Sequence, residues 1–102
     1  MMLSLLILLY FSSQTTLSAT PAPAIQLNWI ASKSAGVNYY TVLRSTISGK
    51  NYDSQANVKT GTSYTDTKIK AGKTYYYVVE AYCKKCNPQY SAYSNQAQAV
   101  VP

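Results

Sequence analysis

Thr74-Tyr75-Tyr76-Tyr77-Val78-Val79-Glu80-Ala81-Tyr82 is the stretch whose reading decides the fold class. It holds neither Gly nor Pro, and it alternates: Tyr75, Tyr77, Val79 and Ala81 share one face, Tyr76, Val78 and Glu80 the other. Aromatic and β-branched side chains lose rotamer freedom against a helical turn but pack well on a pleated surface. Apolar groups on both faces place this strand in the middle of a sheet rather than at its edge.

The same period recurs on either side. Ile25, Leu27 and Trp29 alternate with Gln26 and Asn28, and Val37 to Arg44 sets Tyr40 and Val42 against Tyr39, Thr41 and Leu43. Ser63 to Thr67 is a further short strand, and Ala97, Ala99 and Val101 alternate with Gln96 and Gln98. Small or turn-forming residues separate these runs: Ala31 to Gly36, Ser48-Gly49-Lys50-Asn51, Gly61, and Asn87-Pro88. Short strands punctuated in this way, with no helical period between them, predict an all-β, antiparallel, immunoglobulin-like β-sandwich of about seven strands.

Composition agrees with one packed domain. The chain has 102 residues, 47% of them hydrophobic and 12% charged, with eleven tyrosines against one tryptophan and one phenylalanine. The formal charge is +6, and all nine basic residues and the three acids Asp53, Asp66 and Glu80 follow Thr20. The basic residues stand singly apart from Lys84-Lys85, so neither a nucleic-acid arm nor a polybasic membrane anchor is expected.

The amino-terminal residues read differently. Leu3 to Phe11 is almost continuously apolar, shorter than the roughly 20 residues of a membrane-spanning helix but long enough for the centre of a secretory signal. Residues 1–19 are therefore expected to be an export signal, with cleavage after Ala19 or Ala24, and residues 20–102 the domain. No Lys or Arg precedes the apolar run. The expected location is secreted, cell-surface or periplasmic, with no transmembrane span in the mature chain.

Five segments together resemble a bacterial, extracellular fibronectin type III domain: Leu27-Asn28-Trp29, Tyr40-Thr41-Val42-Leu43-Arg44-Ser45, Tyr64-Thr65-Asp66-Thr67, Ala71-Gly72-Lys73-Thr74-Tyr75-Tyr76-Tyr77-Val78-Val79-Glu80-Ala81, and Ser91-Ala92-Tyr93-Ser94-Asn95. The resemblance implies a core of Leu27, Trp29, Tyr40, Val42, Tyr75, Tyr77 and Val79. Trp29 would fill the space between sheets, and Tyr75 would return its hydroxyl to the backbone near Ile69 to pin the corner where the chain crosses. Tyr39 stands where similar domains often have glycine, and Ala71 where they often have proline. Thr15 to Thr20 looks like the family's first strand, which overlaps the expected signal; cleavage after Ala19 would leave a sheet edge open to a partner strand.

No catalytic set is legible. The chain has no His, its three carboxylates lie on separate segments, and no glycine-rich phosphate loop is present. No enzyme activity, cofactor or metal is expected, since one chain offers only two soft ligands for a tetrahedral site. Those two, in Cys83-Lys84-Lys85-Cys86, are expected to form a disulfide across a short loop, worth roughly 2 kcal/mol by loop closure. A thiol-disulfide protein is the alternative, since two lysines favour a thiolate, although no helix is readable at the first Cys.

If the family topology holds, the loops carrying Lys33, Lys59 and Lys84-Lys85 gather at one end beside Tyr82 and Tyr90. These six residues form a candidate binding tip for a protein or polysaccharide at the cell surface, favouring an acidic one. Two other classes remain open: a spacer between other domains of a larger protein, and a detached accessory domain of an extracellular hydrolase.

Overall fold

The computed structural model describes residues 10–13, through their backbone, and residues 23–102. Among the described residues seven strands run in the order β1 (Tyr10–Ser13), β2 (Ile25–Asn28), β3 (Tyr39–Ser45), β4 (Asp53–Val58), β5 (Ser63–Asp66), β6 (Thr74–Tyr82) and β7 (Ala97–Val100). All pairings are antiparallel, in a three-stranded sheet β1-β2-β5 and a four-stranded sheet β4-β3-β6-β7. The expected all-β sandwich is the observed fold.

Alternation along β2, β3, β6 and β7 delivers one apolar face per sheet to a single interior. Ile25, Leu27, Trp29, Tyr40, Val42, Ile69, Tyr75, Tyr77, Val79, Ala81, Ala97, Ala99 and Val101 form that cluster. Burying side chains of this size supplies about 1.5–3 kcal/mol each before ordering costs. The Trp29 indole meets the Tyr40 ring edge-on at 5.6 Å between centroids. Its Nε1 is buried without a hydrogen-bond partner, so it is held by apolar packing alone.

Two elements differ from the sequence reading. Asp53–Val58 is a strand that the alternation does not announce, because its side chains are at most half-buried. It is an edge strand held to β3 by backbone pairing, and the register slips between Val42 and Leu43, leaving Gln55 as the extra residue. Thr15 to Thr20, the expected first strand, lies outside the described residues. The backbone of Tyr10–Ser13, which overlaps the apolar run expected to be an export signal, pairs with β2 from Tyr10↔Asn28 to Ser13↔Ile25.

The chain from Ser91 to Gln96 does not continue the β7 ladder, yet it satisfies β6. Ser91 N–H donates to Ala81 O at 3.0 Å and Ser94 N–H to Val79 O at 2.8 Å. In return, the Ala81 and Val79 amides each donate to a hydroxyl, Ser91 Oγ and Ser94 Oγ, both at 2.9 Å. Serine oxygens here replace the carbonyls that a regular partner strand would offer, so the buried Val79 and Ala81 donors are satisfied.

The β3–β4 connection crosses to β7. Gly49 N–H donates to Gln96 Oε1 at 2.8 Å, Gln96 Nε2 donates to Ser48 Oγ at 3.1 Å, and Tyr52 donates its hydroxyl to the same Gln96 oxygen. Because β6 separates β3 from β7, this segment lies over the outer face of β6. Leu43 and Val78 are buried on that face although they point away from the core.

Candidate functional site

The seven expected core residues, Leu27, Trp29, Tyr40, Val42, Tyr75, Tyr77 and Val79, are all buried in the inter-sheet cluster. Tyr75 Oη accepts the Lys70 N–H at 2.9 Å, one residue past Ile69, and thereby ties the start of β6 to the loop that precedes it. Asp66 is a second tie. Its carboxylate accepts from Arg44 Nη1 at 2.8 Å, Tyr77 Oη at 2.7 Å and Lys68 N–H at 3.0 Å. Arg44 also donates to Lys68 O and lies 5.1 Å from the Tyr75 ring centre. These groups are structural; each is consumed by another part of the same frame.

At the opposite end, three loops converge by topology: residues 29–38 between β2 and β3, 59–62 between β4 and β5, and 83–90 after β6. They carry Lys33, Lys59, Lys84 and Lys85, all exposed, and no carboxylate. The first and third loops are bonded together. Asn38 N–H donates to Tyr82 O at 2.7 Å, and Lys84 N–H donates to Asn38 Oδ1 at 2.7 Å. Ser32 N–H donates to Tyr40 Oη at 2.7 Å, fixing the loop of Lys33 to β3.

Cys83 and Cys86 are joined, with their sulfurs 2.02 Å apart, and both are buried. Gly36, at φ 85°, belongs to the first loop, and a Cβ there would stand 3.5 Å from Cys83 Sγ. The left-handed backbone disfavours any other residue at Gly36. Asn87-Pro88 is a cis peptide in the third loop.

Tyr82 and Tyr90 belong to this end but turn onto the outer face of the four-stranded sheet. Tyr82 stacks on Tyr39 at 4.7 Å and meets Tyr90 at 4.8 Å. The hydrogen bond between Tyr39 and Tyr90, with burial second, pushes the Tyr39 hydroxyl up to about 12. Below these rings lies a groove of about 530 Å³, lined by Tyr39, Thr41, Leu43, Ser54, Asn57, Glu80 and Tyr90.

The sequence reading grouped Tyr82 and Tyr90 with the lysines but passed over Tyr39, Asn57 and Glu80, which only the strand register brings together. It also passed over Lys50, Lys68, Lys70 and Lys73, which lie on the loops of the far end with Asp53 and Asp66 nearby in the topology. That cluster was visible as the spacing Lys68, Lys70, Lys73. Among the described residues no group of three or more His, Cys, Asp or Glu could hold a metal ion, and no helix is long and apolar enough to cross a membrane.

A two-sheet antiparallel sandwich with a tyrosine-pinned corner defines the chain as an immunoglobulin-like β-sandwich module. It superimposes on an Fn3-like protein from Clostridium thermocellum at TM-score 0.68 with 34% identity, covering 91% of this chain and 88% of that one. The chain belongs to the fibronectin type III family. The sixth fibronectin type III domain of human fibronectin type III domain containing protein 3 matches at TM-score 0.66 and 21% identity, over 90% of this chain and 80% of that one. Pectate lyase PelI from Erwinia chrysanthemi matches at TM-score 0.74 and 19% identity over 92% of this chain, which spans 28% of the lyase. The fold therefore also occurs as one part of larger enzymes. Neither the protein-family models nor the curated protein sequences gave a match.

Proposed function

We propose that this chain is an exported, non-catalytic fibronectin type III module that binds an acidic polysaccharide at the cell surface through the tip carrying Lys33, Lys59, Lys84 and Lys85, flanked by Tyr82 and Tyr90. The observation that carries the reading is the charge of three adjoining loops, four lysines without one carboxylate. The bond from Lys84 N–H to Asn38 Oδ1 and that from Asn38 N–H to Tyr82 O at the end of β6 hold the first and third loops in position, so little ordering is needed on binding. A flexible ammonium suits a polymer with repeated carboxylates better than a single planar partner. The far end is basic too, but there Arg44 is already paired with Asp66 and Asp53 adds an exposed acid.

Similar domains within larger chains support a second reading, an accessory module of an extracellular polysaccharide-degrading enzyme. One is in a pectate lyase whose structure holds tetragalacturonic acid; another is in a β-1,2-glucanase from Parabacteroides distasonis, of which this chain spans 11%. The thiol-disulfide alternative is disfavoured by two sulfurs that are bonded and buried.

Titration with polygalacturonate across a salt series tests the proposal. Affinity falls as salt rises, because the contacts are between exposed charges. Lys84→Glu with Lys85→Glu weakens it, whereas Lys68→Glu with Lys70→Glu does not. Equal loss in both pairs would show nonspecific attraction to a basic protein, and no binding at low salt would leave the role of a spacer.

A further inference from the structure

The outer face of the four-stranded sheet carries a second arrangement, which shares the Tyr82 and Tyr90 rings with the tip but none of its lysines. Across three neighbouring strands, Asn57 of β4 pairs with Thr41 of β3, and Thr41 pairs with Glu80 of β6. This polar row spans two strand spacings, about 10 Å. One step toward the tip on the same face stand Tyr39 and Tyr82, paired across β3 and β6, with Tyr90 bridged to Tyr82. One step the other way stand Ser54, Leu43 and Val78. The groove of about 530 Å³ thus has tyrosine rings along one side, a polar row along its floor and an apolar margin opposite.

The chemistry of the row selects among ligands. Thr41 Oγ1 donates to Asn57 Oδ1 at 3.0 Å, which fixes the amide with its oxygen toward Thr41 and leaves its nitrogen to donate elsewhere. Glu80 is half-buried, and among the described residues the one ion pair is Arg44–Asp66, so the Glu80 carboxylate lies in the groove without a cationic partner. Burial raises its pKa above the ordinary 4.5, the mark of a poorly hydrated carboxylate that gains from hydrogen-bond donors. An anionic ligand is repelled by it at contact. A cationic one must approach a chain of net charge +6, with Lys84 and Lys85 on the adjoining loop. What remains is an uncharged ligand that has hydroxyls to donate and accept along one edge and a C–H face to lay on an aromatic ring.

We propose that the groove bounded by Tyr39 and Tyr90 and floored by Asn57, Thr41 and Glu80 binds a short run of pyranose units from an uncharged glycan. One sugar face packs on the tyrosine rings, sugar hydroxyls donate to Glu80, and the Asn57 amide donates to a sugar oxygen. The lining combines aromatic rings with a few fixed polar groups, as ligand sites do, and the groove lies open along the sheet face, so a chain of sugars can be laid across it. The groove shares the Tyr90 ring with the tip but needs none of its lysines. A module with both would take a neutral chain on its sheet face and acidic groups at its end.

The isotope-labelled full chain is titrated with cellohexaose, laminarihexaose and mannohexaose, following backbone amide shifts. At least one of the three should move the amides of Tyr39, Thr41, Asn57 and Glu80, with an affinity unaffected by salt and by Lys84→Glu. Glu80→Gln, which keeps the shape of the side chain, should weaken that binding roughly tenfold by loss of a charge-assisted acceptor. Tyr90→Ala, at an exposed position, should weaken it by a similar factor of roughly ten. No shift at these amides with any of the three sugars would overturn the proposal, as would undiminished binding in Glu80→Gln. Polylysine binding that needs Glu80 would overturn it in favour of a cationic ligand.

Discussion

The phenol of Tyr77, buried completely in the four-stranded sheet, donates a 2.7 Å hydrogen bond to the carboxylate of Asp66 in the three-stranded one. Arg44 completes the pairing at 2.8 Å, so a charge that would be costly in a dry interior becomes a clamp between the layers. Replacing one partner strands the others. Asp66→Ala is expected to destabilise the domain by about 3 kcal/mol, since it leaves the buried phenol without its acceptor and the guanidinium without its counter-ion. Tyr77→Phe should cost about 1.5–3 kcal/mol, the range for a hydrogen bond to a charged group. Urea unfolding of the three proteins checks both values.

Alkaline pH should weaken the fold through its tyrosines. Burial first, and then the bond to Asp66, raises the Tyr77 hydroxyl well above its ordinary value, and Tyr39 is raised from 10.0 to about 12. The folded state therefore holds these protons more tightly than the unfolded chain does. Their contribution is complete below pH 10.0 and declines above it, because the unfolded chain ionises first; the share of Tyr39 is lost as pH climbs through about 12, and that of Tyr77, raised further, outlasts it. The melting temperature should fall with rising pH across that window, and less steeply in Tyr77→Phe. An equal slope in the variant would count against the assignment.

The two serines beside β6 make a local prediction. Ser91→Ala removes the acceptor for the buried Ala81 N–H, and Ser94→Ala does the same for Val79. Each should cost about 1–3 kcal/mol, the penalty for an unsatisfied buried donor. Hydrogen exchange should quicken at Ala81 in the first variant and at Val79 in the second, leaving Tyr77 protected by its pairing with Ala97. Threonine at either position retains the hydroxyl and should restore most of the protection.

Legibility in the sequence followed burial. The Thr74–Tyr82 strand announces itself because both its faces are covered and its side chains are chosen for a pleated surface. Asp53–Val58 does not, because an edge strand is held by backbone bonds that leave no mark on its side chains. The tie of Tyr75 to the preceding corner followed from resemblance, but the convergence of Arg44, Asp66 and Tyr77 depends on which strands meet across the interior. The groove was hidden for the same reason. Tyr39, Asn57 and Glu80 lie far apart in the chain and become neighbours only through the register of three strands. The lysine tip was within reach, since loops at one end of a sandwich follow from strand order alone.

Amide-shift mapping of the labelled chain with a short oligogalacturonate at low salt tests the central claim most directly. The account predicts perturbations confined to the loops of Lys33, Lys59 and Lys84-Lys85 that fade as salt is added. Perturbations centred on the Lys68–Lys73 loop, or none anywhere, would contradict it.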